Sequence, residues 1–117
     1  MGKTVLIVDD HPSFRASARY MLEADGYEVV GEAATGSSAL DAARELRPDV
    51  VLLDIRLPDL DGFQVAEQLA ANGATPAIVL TSSRDRSDLA FEIDGSPANG
   101  FIPKSELSAE AITLLIR

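Results

Sequence analysis

The sequence predicts an α/β fold in which a parallel sheet is covered by helices. Apolar runs of strand length alternate with segments whose apolar residues recur at helical spacing, a pattern typical of repeated βαβ units. The run at 50–53 has no polar position, which indicates a strand buried on both faces, as in the interior of a parallel sheet. The length of 117 residues suits one domain with a modest core.

The strands are predicted from short apolar runs bounded by polar or turn-forming residues. In chain order they lie at 5–8, 27–33, 50–53, 77–80 and 100–102.

Helices are predicted between these strands and after the last one. Apolar residues recur at helical spacing over 14–22, 40–46, 63–69, 89–93 and 112–116. Pro12 suits the first turn of the first helix. Ser37 or Ser38 is expected to cap the second helix, and Ser108 the last. Asp61-Gly62 is expected to form the turn before the third helix, which ends at Asn72-Gly73.

The segment 85–99 departs from this regular alternation. Its first half has helical spacing, but Gly95, Pro97 and Asn99 disfavour a helix in the second half.

The composition excludes several classes of protein. The net charge of -9 argues against binding of nucleic acid or of an anionic membrane by this chain. There is no cysteine, which excludes disulfides, thiol catalysis and cysteine-ligated zinc. Because no apolar stretch is long enough for a signal peptide or a membrane span, a cytoplasmic location is expected.

Carboxylates close two of the predicted strands. Asp54 ends the third strand and precedes a proline-bearing loop, whereas Asp9 and Asp10 follow the first strand. If the two strands are neighbours, the three carboxylates meet at one edge of the sheet. Their mutual repulsion and loss of hydration then require a compensating cation. The alternative is that these aspartates only open turns.

Two more polar residues follow the fourth and fifth strands. They are Thr81, for which Ser82 is the alternative, and Lys104. Carboxylates hold Mg²⁺, a hydroxyl and an ammonium bind phosphoryl oxygens, and a carboxylate can accept a phosphoryl group. The set therefore indicates phosphoryl chemistry with Mg²⁺. The ordinary alternatives are a helix cap for Thr81 and a solvated lysine for Lys104.

Four segments carry a resemblance to a known family. They are VLIVDDHPSFR, DVVLLDIRLPDLDGF, IVLTSS and GFIPKSEL. In this order and spacing they resemble the receiver domain of two-component response regulators over the whole chain. The resemblance implies a doubly wound (βα)5 flavodoxin-like fold with a five-stranded parallel sheet in the order 2-1-3-4-5, and a receiver domain over residues 1–117.

The resemblance assigns the acceptor and the metal ligands. Asp54 is the expected phosphoacceptor. Asp10 is expected to bind Mg²⁺ directly, and Asp9 directly or through water. Asp54 and the backbone carbonyl of Arg56 are the remaining expected ligands. His11, the single histidine, is expected to be a loop residue rather than a catalytic one.

The resemblance also assigns the residues that respond to phosphorylation. Thr81 is expected to move and hydrogen-bond the phosphoryl group, and Lys104 to pair with it. Phe101 matches the aromatic residue whose ring changes position on activation, although it could serve only as a core residue. The unusual segment 95–99 falls where the family's signalling face lies, so the chain departs from the family pattern there.

The implied function is a phosphorylation-dependent signalling switch that controls a downstream output, with transcription as the expected output. A sensor histidine kinase or a phosphotransfer protein is the expected partner, and a dimer formed on phosphorylation is compatible with the resemblance. His11-Pro12 and GFIPK resemble the subgroup with a helix-turn-helix DNA-binding output domain. That domain is absent from this sequence, whose end within the last predicted helix favours a piece of a longer protein.

Two other functions compete with this interpretation. The first is a Mg²⁺-dependent phosphohydrolase with an aspartyl-phosphate intermediate. Such enzymes usually need a further general acid beside the nucleophile, and Ile55 and Arg56 supply none. The second is a receiver-like interaction module that is no longer phosphorylated. The presence of Asp54, Thr81 and Lys104 argues against it. The only enzymatic activity expected is therefore Mg²⁺-dependent self-phosphorylation and dephosphorylation.

Overall fold

The computed structural model describes residues 2–71, 76–83 and 89–117. Within these residues, five parallel strands form one sheet in the order β2-β1-β3-β4-β5. The strands are β1 (Thr4–Val8), β2 (Glu28–Ala33), β3 (Val50–Asp54), β4 (Ala77–Ser82) and β5 (Gly100–Pro103). The predicted fold class and strand order are confirmed.

Helices cover both faces of the sheet, as the doubly wound fold requires. They are α1 (Pro12–Ala24), α2 (Gly36–Leu46), α3 (Gly62–Ala71), α4 (Ala90–Asp94) and α5 (Ala109–Ile116). One hydrophobic cluster joins the sheet to α2, α3 and α4, and a second joins it to α1 and α5. Residues 50–53 of β3 are fully buried, which agrees with the strand's unbroken apolar sequence.

The cap of α2 differs from the prediction. Thr35, and neither serine, is the N-cap: its side chain accepts the N–H of Ser38 at 3.0 Å, and Ser38 Oγ accepts the N–H of Thr35 at 3.2 Å. The helix starts earlier in the chain than predicted. Asp59, from a loop that is distant in sequence, accepts the N–H groups of Gly36 and Ser37 at 2.7 and 2.9 Å and so supports this earlier start. These bonds satisfy backbone donors that a helix start leaves free.

The two residues that were predicted to form a turn before α3 form the start of the helix itself. Asp61 accepts the N–H of Gln64 at 2.9 Å, and Gln64 Oε1 accepts the N–H of Asp61 at 3.0 Å. This is the reciprocal pairing of a capping box, so the Asp61-Gly62 pair opens the helix directly. The predicted helix end at Asn72-Gly73 lies outside the described residues.

The fourth helix is short, in agreement with the sequence. α4 has five residues and ends before Gly95, and Ser108 caps α5 by accepting the N–H of Ala111 at 3.0 Å. Residues 85–88 of the irregular segment 85–99 lie outside the described residues. No helix in the part of the chain that the structure describes is long and apolar enough to cross a membrane.

Candidate functional site

The parallel register brings the polar strand ends to one edge of the sheet. Leu53 of β3 pairs with Val8 of β1, so Asp54 lies beside Asp9, and Asp54 itself pairs with Thr81 of β4. Ligands of open parallel sheets bind at this edge, outside the carboxyl ends of the strands. The three predicted carboxylates, Asp10 included, offer oxygens within 4.8 Å of one another, so the predicted meeting of the carboxylates is confirmed.

Lys104 lies between the two buried carboxylates. Its Nζ is 2.6 Å from Asp9 Oδ2 and 3.4 Å from Asp54 Oδ2, and it also lies 4.3 Å from the centre of the Phe14 ring. Only 18% of the lysine side chain is exposed. Poor solvation strengthens both charge contacts, and the aromatic face adds a weaker attraction. The lysine is therefore held in the site rather than solvated.

Asp9 is the more firmly held carboxylate. Its Oδ1 accepts the N–H of His11 at 2.8 Å and lies 3.0 Å from His11 Nδ1, while its Oδ2 has the ion pair with Lys104 rather than a well-aligned hydrogen bond. Burial, the largest single influence, would raise the pKa of Asp9. The Lys104 ammonium and the His11 contacts together outweigh it, so the pKa lies below its usual range. Asp9 is thus a permanent anion at neutral pH.

Asp54 has weaker compensation. Its Oδ1 accepts one backbone N–H, from Arg56, at 3.2 Å, and Lys104 lies 3.4 Å from its Oδ2. Burial raises the pKa of Asp54 to about 6; the Arg56 N–H and Lys104 lower it, whereas the negative charge of Asp9 raises it. Asp54 is therefore the more basic carboxylate, and it is ionised in most molecules above pH ~6.5.

The chemistry of the donor set fits a hard divalent cation. Asp9, Asp10 and Asp54 contribute carboxylate oxygens, the ligands that Mg²⁺ prefers, and Asp10 is open to solvent, which leaves room for the waters that Mg²⁺ retains. His11 belongs to the same cluster, since its Nδ1 lies 3.0 Å from both Asp9 Oδ1 and Asp10 Oδ1. The acidic cluster can therefore hold a metal ion.

Thr81 presents a buried hydroxyl at the same edge. Its Oγ1 is inaccessible to solvent and has no hydrogen-bond partner within the described part of the chain. An unpaired buried hydroxyl costs about 1–3 kcal/mol, which an incoming acceptor would offset. The backbone carbonyl of Thr81 accepts the N–H of Ile55 at 3.0 Å, which ties the end of β4 to the residue after Asp54.

Phe101 of β5 is buried in the cluster that includes α3 and α4 residues.

The loop after Asp54 is held by contacts between its two ends and by a further contact in its middle. A Cβ at Gly62 would come within 2.6 Å of the Asp54 carbonyl oxygen, so only glycine permits this close approach of α3 to the end of β3. The Gly62 N–H donates to the Ile55 carbonyl at 2.7 Å. In the middle of the loop, Asp59 holds the start of α2. The backbone around Asp54 is thus fixed by two helices.

Three residues make contacts in this region that were not predicted from the sequence. Arg15 donates from Nη1 to the Asp9 carbonyl oxygen at 2.6 Å, His11 joins the acidic cluster, and Asp59 clamps the loop to α2. Arg15 lies one helical turn after His11, which is the available signal in the sequence. Asp59 gave no signal, because its partners are more than 20 residues away.

Comparison with known proteins identifies the family. The sequence matches the family described as response regulator receiver domain over residues 5–117. The chain therefore belongs to the response regulator receiver family, whose general function is that of a phosphorylation-dependent switch. The family is a signalling domain rather than a conventional enzyme.

Individual relatives agree with this assignment. The nitrate/nitrite response regulator protein NarP of Escherichia coli is 39% identical over 112 residues, covering 92% of this chain and 52% of NarP. The positive alginate biosynthesis regulatory protein of Pseudomonas aeruginosa is 44% identical over 114 residues, covering 92% of this chain and 45% of that protein. The signal receiver domain of NarL from Mycobacterium tuberculosis superposes with a TM-score of 0.89 at 32% identity, covering 98% of this chain and 96% of that one.

This chain spans about half the length of the curated relatives that it matches. The relatives' names describe whole proteins, and the matched region is the part that this chain shares with them.

Proposed function

We propose that residues 1–117 form a receiver domain in which Asp54 accepts a phosphoryl group from the phosphohistidine of a sensor histidine kinase or a phosphotransfer protein. The observation that carries the proposal is the arrangement of Lys104 between the carboxylates of Asp9 and Asp54. It joins a buried nucleophile to a fixed cation that can also pair with a phosphoryl oxygen.

The chemistry asked of Asp54 is nucleophilic. One carboxylate oxygen forms a bond to phosphorus while the bond from phosphorus to the donor nitrogen breaks, and the imidazole leaves with the electron pair. The raised pKa of about 6 makes Asp54 more nucleophilic than an ordinary aspartate, yet leaves it mostly ionised at pH 7. Its rigid backbone holds the attacking oxygen in place.

Mg²⁺ is the proposed cofactor. Asp9, Asp10, Asp54 and the backbone carbonyl of Arg56 are the proposed protein ligands, with Asp9 binding directly or through water. When bound, Mg²⁺ would offset the negative charge shared by the acceptor and the phosphoryl group. Asp10 is the open member of this set and is suited to direct contact, whereas Asp9 already has Lys104 and His11 as partners.

Thr81, Lys104 and Phe101 are the proposed response elements. The hydroxyl of Thr81 gains its missing partner when a phosphoryl oxygen arrives at Asp54, the residue paired with it across β3 and β4. Phe101 pairs with Leu80, the residue before Thr81, so a shift of Thr81 changes the strand against which Phe101 packs. Lys104→Ala should leave some phosphorylation but uncouple it from the change at Thr81 and Phe101.

The proposed output is control of transcription through a C-terminal DNA-binding domain outside residues 1–117. The names of the relatives and the half-length coverage support this proposal. The acidic receiver itself is not proposed to bind DNA, because its net charge of -9 would oppose contact with phosphates. A cytoplasmic location and a dimer formed on phosphorylation are part of the same proposal.

Intact-mass spectrometry tests the proposal. Incubation with acetyl phosphate and Mg²⁺ should add one phosphoryl group to the wild-type protein, whereas Asp54→Asn should remain unmodified and omission of Mg²⁺ should abolish the adduct. Asp41→Asn is the matched control, since it removes one carboxylate from an exposed position on α2. Its labelling should equal that of the wild type. An adduct that persists in Asp54→Asn, or its absence from the wild type, would overturn the assignment.

A further inference from the structure

Two arginines of α1 share one carboxylate, but only one of them reaches the acidic site. Arg15 Nε and Arg19 Nε lie 2.9 Å from the two oxygens of Glu32 on β2. Arg15 also donates from Nη1 to the Asp9 carbonyl oxygen at 2.6 Å, whereas the further contact of Arg19 is with Glu23 at 3.3 Å. The two side chains therefore carry equal charge and differ in one contact to the site.

The carbonyl that Arg15 holds belongs to the peptide unit that joins Asp9 to Asp10. The Asp9 side chain is already fixed by Lys104 and His11, and the backbone N–H of Asp9 donates to the Ala33 carbonyl at 3.0 Å. Within the described residues, the Asp10 side chain has one close polar contact, 3.0 Å from Nδ1 of His11, whose own side chain is 64% exposed. The orientation of Asp10 therefore depends on its backbone, and Arg15 fixes the peptide plane that leads to it.

We propose that Arg15 is a positioning residue that orients Asp10 for metal binding by holding the Asp9–Asp10 peptide unit, with Glu32 orienting the guanidinium in turn. This inference rests on the proposed Mg²⁺ site and extends it beyond the ligands themselves. Residues that orient metal ligands without touching the metal commonly change affinity by an order of magnitude.

The sign of the effect separates positioning from simple electrostatics. Removal of a positive charge near an acidic site favours binding of a cation, so charge alone predicts that Mg²⁺ binds both Arg15→Met and Arg19→Met as tightly as the wild type or more tightly. Positioning predicts weaker binding for Arg15→Met alone. The two explanations therefore predict opposite changes for Arg15.

Mg²⁺ titration followed by backbone NMR shifts, with thermal unfolding of each variant, tests the proposal. Arg15→Met should raise the Kd for Mg²⁺ about tenfold, and Arg19→Met should leave it at or below the wild-type value. Arg15→Lys should give an intermediate Kd, because one ammonium cannot hold both Glu32 and the carbonyl as a guanidinium fork does. The same variant replaces Arg15→Met in the test if Arg15→Met does not fold. Equal Kd values for the variants of Arg15 and Arg19 would overturn the proposal.

A second measurement, made without metal, distinguishes failure of this proposal from failure of the Mg²⁺ site. The His11 N–H donates to Asp9 Oδ1 and so reports on order in this loop. Its hydrogen exchange should be faster in Arg15→Met than in Arg19→Met. If the wild type does not respond to Mg²⁺, the metal site is wrong, and exchange alone decides whether Arg15 orders the loop. Equal exchange rates would then reject the role of Arg15.

Discussion

Asp9 and Asp54 stand at the ends of adjacent strands, and both carboxylates are almost completely buried. Asp9 has an ion pair at 2.6 Å and a backbone N–H at 2.8 Å, and its pKa is lowered. Asp54 has the same lysine at 3.4 Å and a backbone N–H at 3.2 Å, and burial raises its pKa to about 6. Contacts longer by less than 1 Å thus accompany opposite pKa shifts.

The opposite pKa shifts of Asp9 and Asp54 suit the two carboxylates to different roles. A carboxylate whose charge is fully compensated makes a stable anchor, whereas one that retains uncompensated charge attracts an incoming cation or electrophile. The surroundings of Asp9 suit a structural anchor, and those of Asp54 suit the nucleophilic role proposed for it. This comparison predicts that neutralising the two residues changes stability in opposite directions.

The largest effect is expected for Asp9→Asn. Neutralising Asp9 leaves Asp54, at the longer distance of 3.4 Å, as the carboxylate that pairs with the Lys104 ammonium, and breaking a buried pair costs about 3 kcal/mol. Urea unfolding at pH 7 should show a loss of this order. Because the folded pKa of Asp9 is below its unfolded value, the stability that it supplies is present above the unfolded pKa and lost as pH falls through the folded pKa. A neutral or stabilising effect at pH 7 would contradict the anchor role.

Asp54→Asn is expected to stabilise the metal-free fold by about 2–3 kcal/mol at pH 7. The raised pKa means that ionised Asp54 opposes folding. This opposition is absent below the unfolded pKa near 4, grows as pH rises towards 6, and is constant above that value. Unfolding of both proteins between pH 4 and pH 8 should show curves that converge at low pH and separate at neutral pH. Parallel curves would mean that the pKa of Asp54 is ordinary.

The sequence predicted the members of this site because their positions follow from topology. Asp9, Asp54 and Thr81 each follow or end a strand, and a parallel sheet brings such ends to one edge. The opposite pKa shifts could not be predicted, because they depend on the burial of each carboxylate and on its distances to Lys104 and to the neighbouring backbone N–H groups.

The cap of α2 is a feature of the fold that likewise could not be predicted from the sequence. The sequence prediction names Ser37 or Ser38 as the cap and does not include Thr35, although threonine is also a common capping residue and helical spacing does not choose among the three. The choice depends on Asp59, which accepts the first N–H groups of the helix from a loop that is distant in the sequence. Strand positions follow from local patterns, whereas the exact ends of helices depend on contacts across the fold.

Replacement of the shared lysine sharpens the comparison between the two carboxylates. Lys104→Met retains much of the packing on Phe14 but removes the cation, so the pKa values of both Asp9 and Asp54 should rise. Because Asp9 has the shorter contact, its rise should be larger. NMR titration of the two side-chain carboxyl carbons measures each pKa separately. A larger rise at Asp54 would show that Lys104 compensates mainly the charge of Asp54.

The smallest effect on stability is expected for Asp10→Asn, the solvent-exposed member of the cluster. Its removal relieves repulsion with Asp9 and Asp54 in a partly hydrated setting, so the metal-free fold should gain at most about 0.5 kcal/mol. Mg²⁺ binding should nevertheless weaken strongly if Asp10 is a direct ligand. Calorimetric titration with Mg²⁺ and urea unfolding of the same preparation separate the two effects. Asp25→Asn, an exposed carboxylate beyond the end of α1, is the control and should change neither. Unchanged Mg²⁺ affinity in Asp10→Asn would leave Asp9 and Asp54 as the only carboxylate ligands of this cluster.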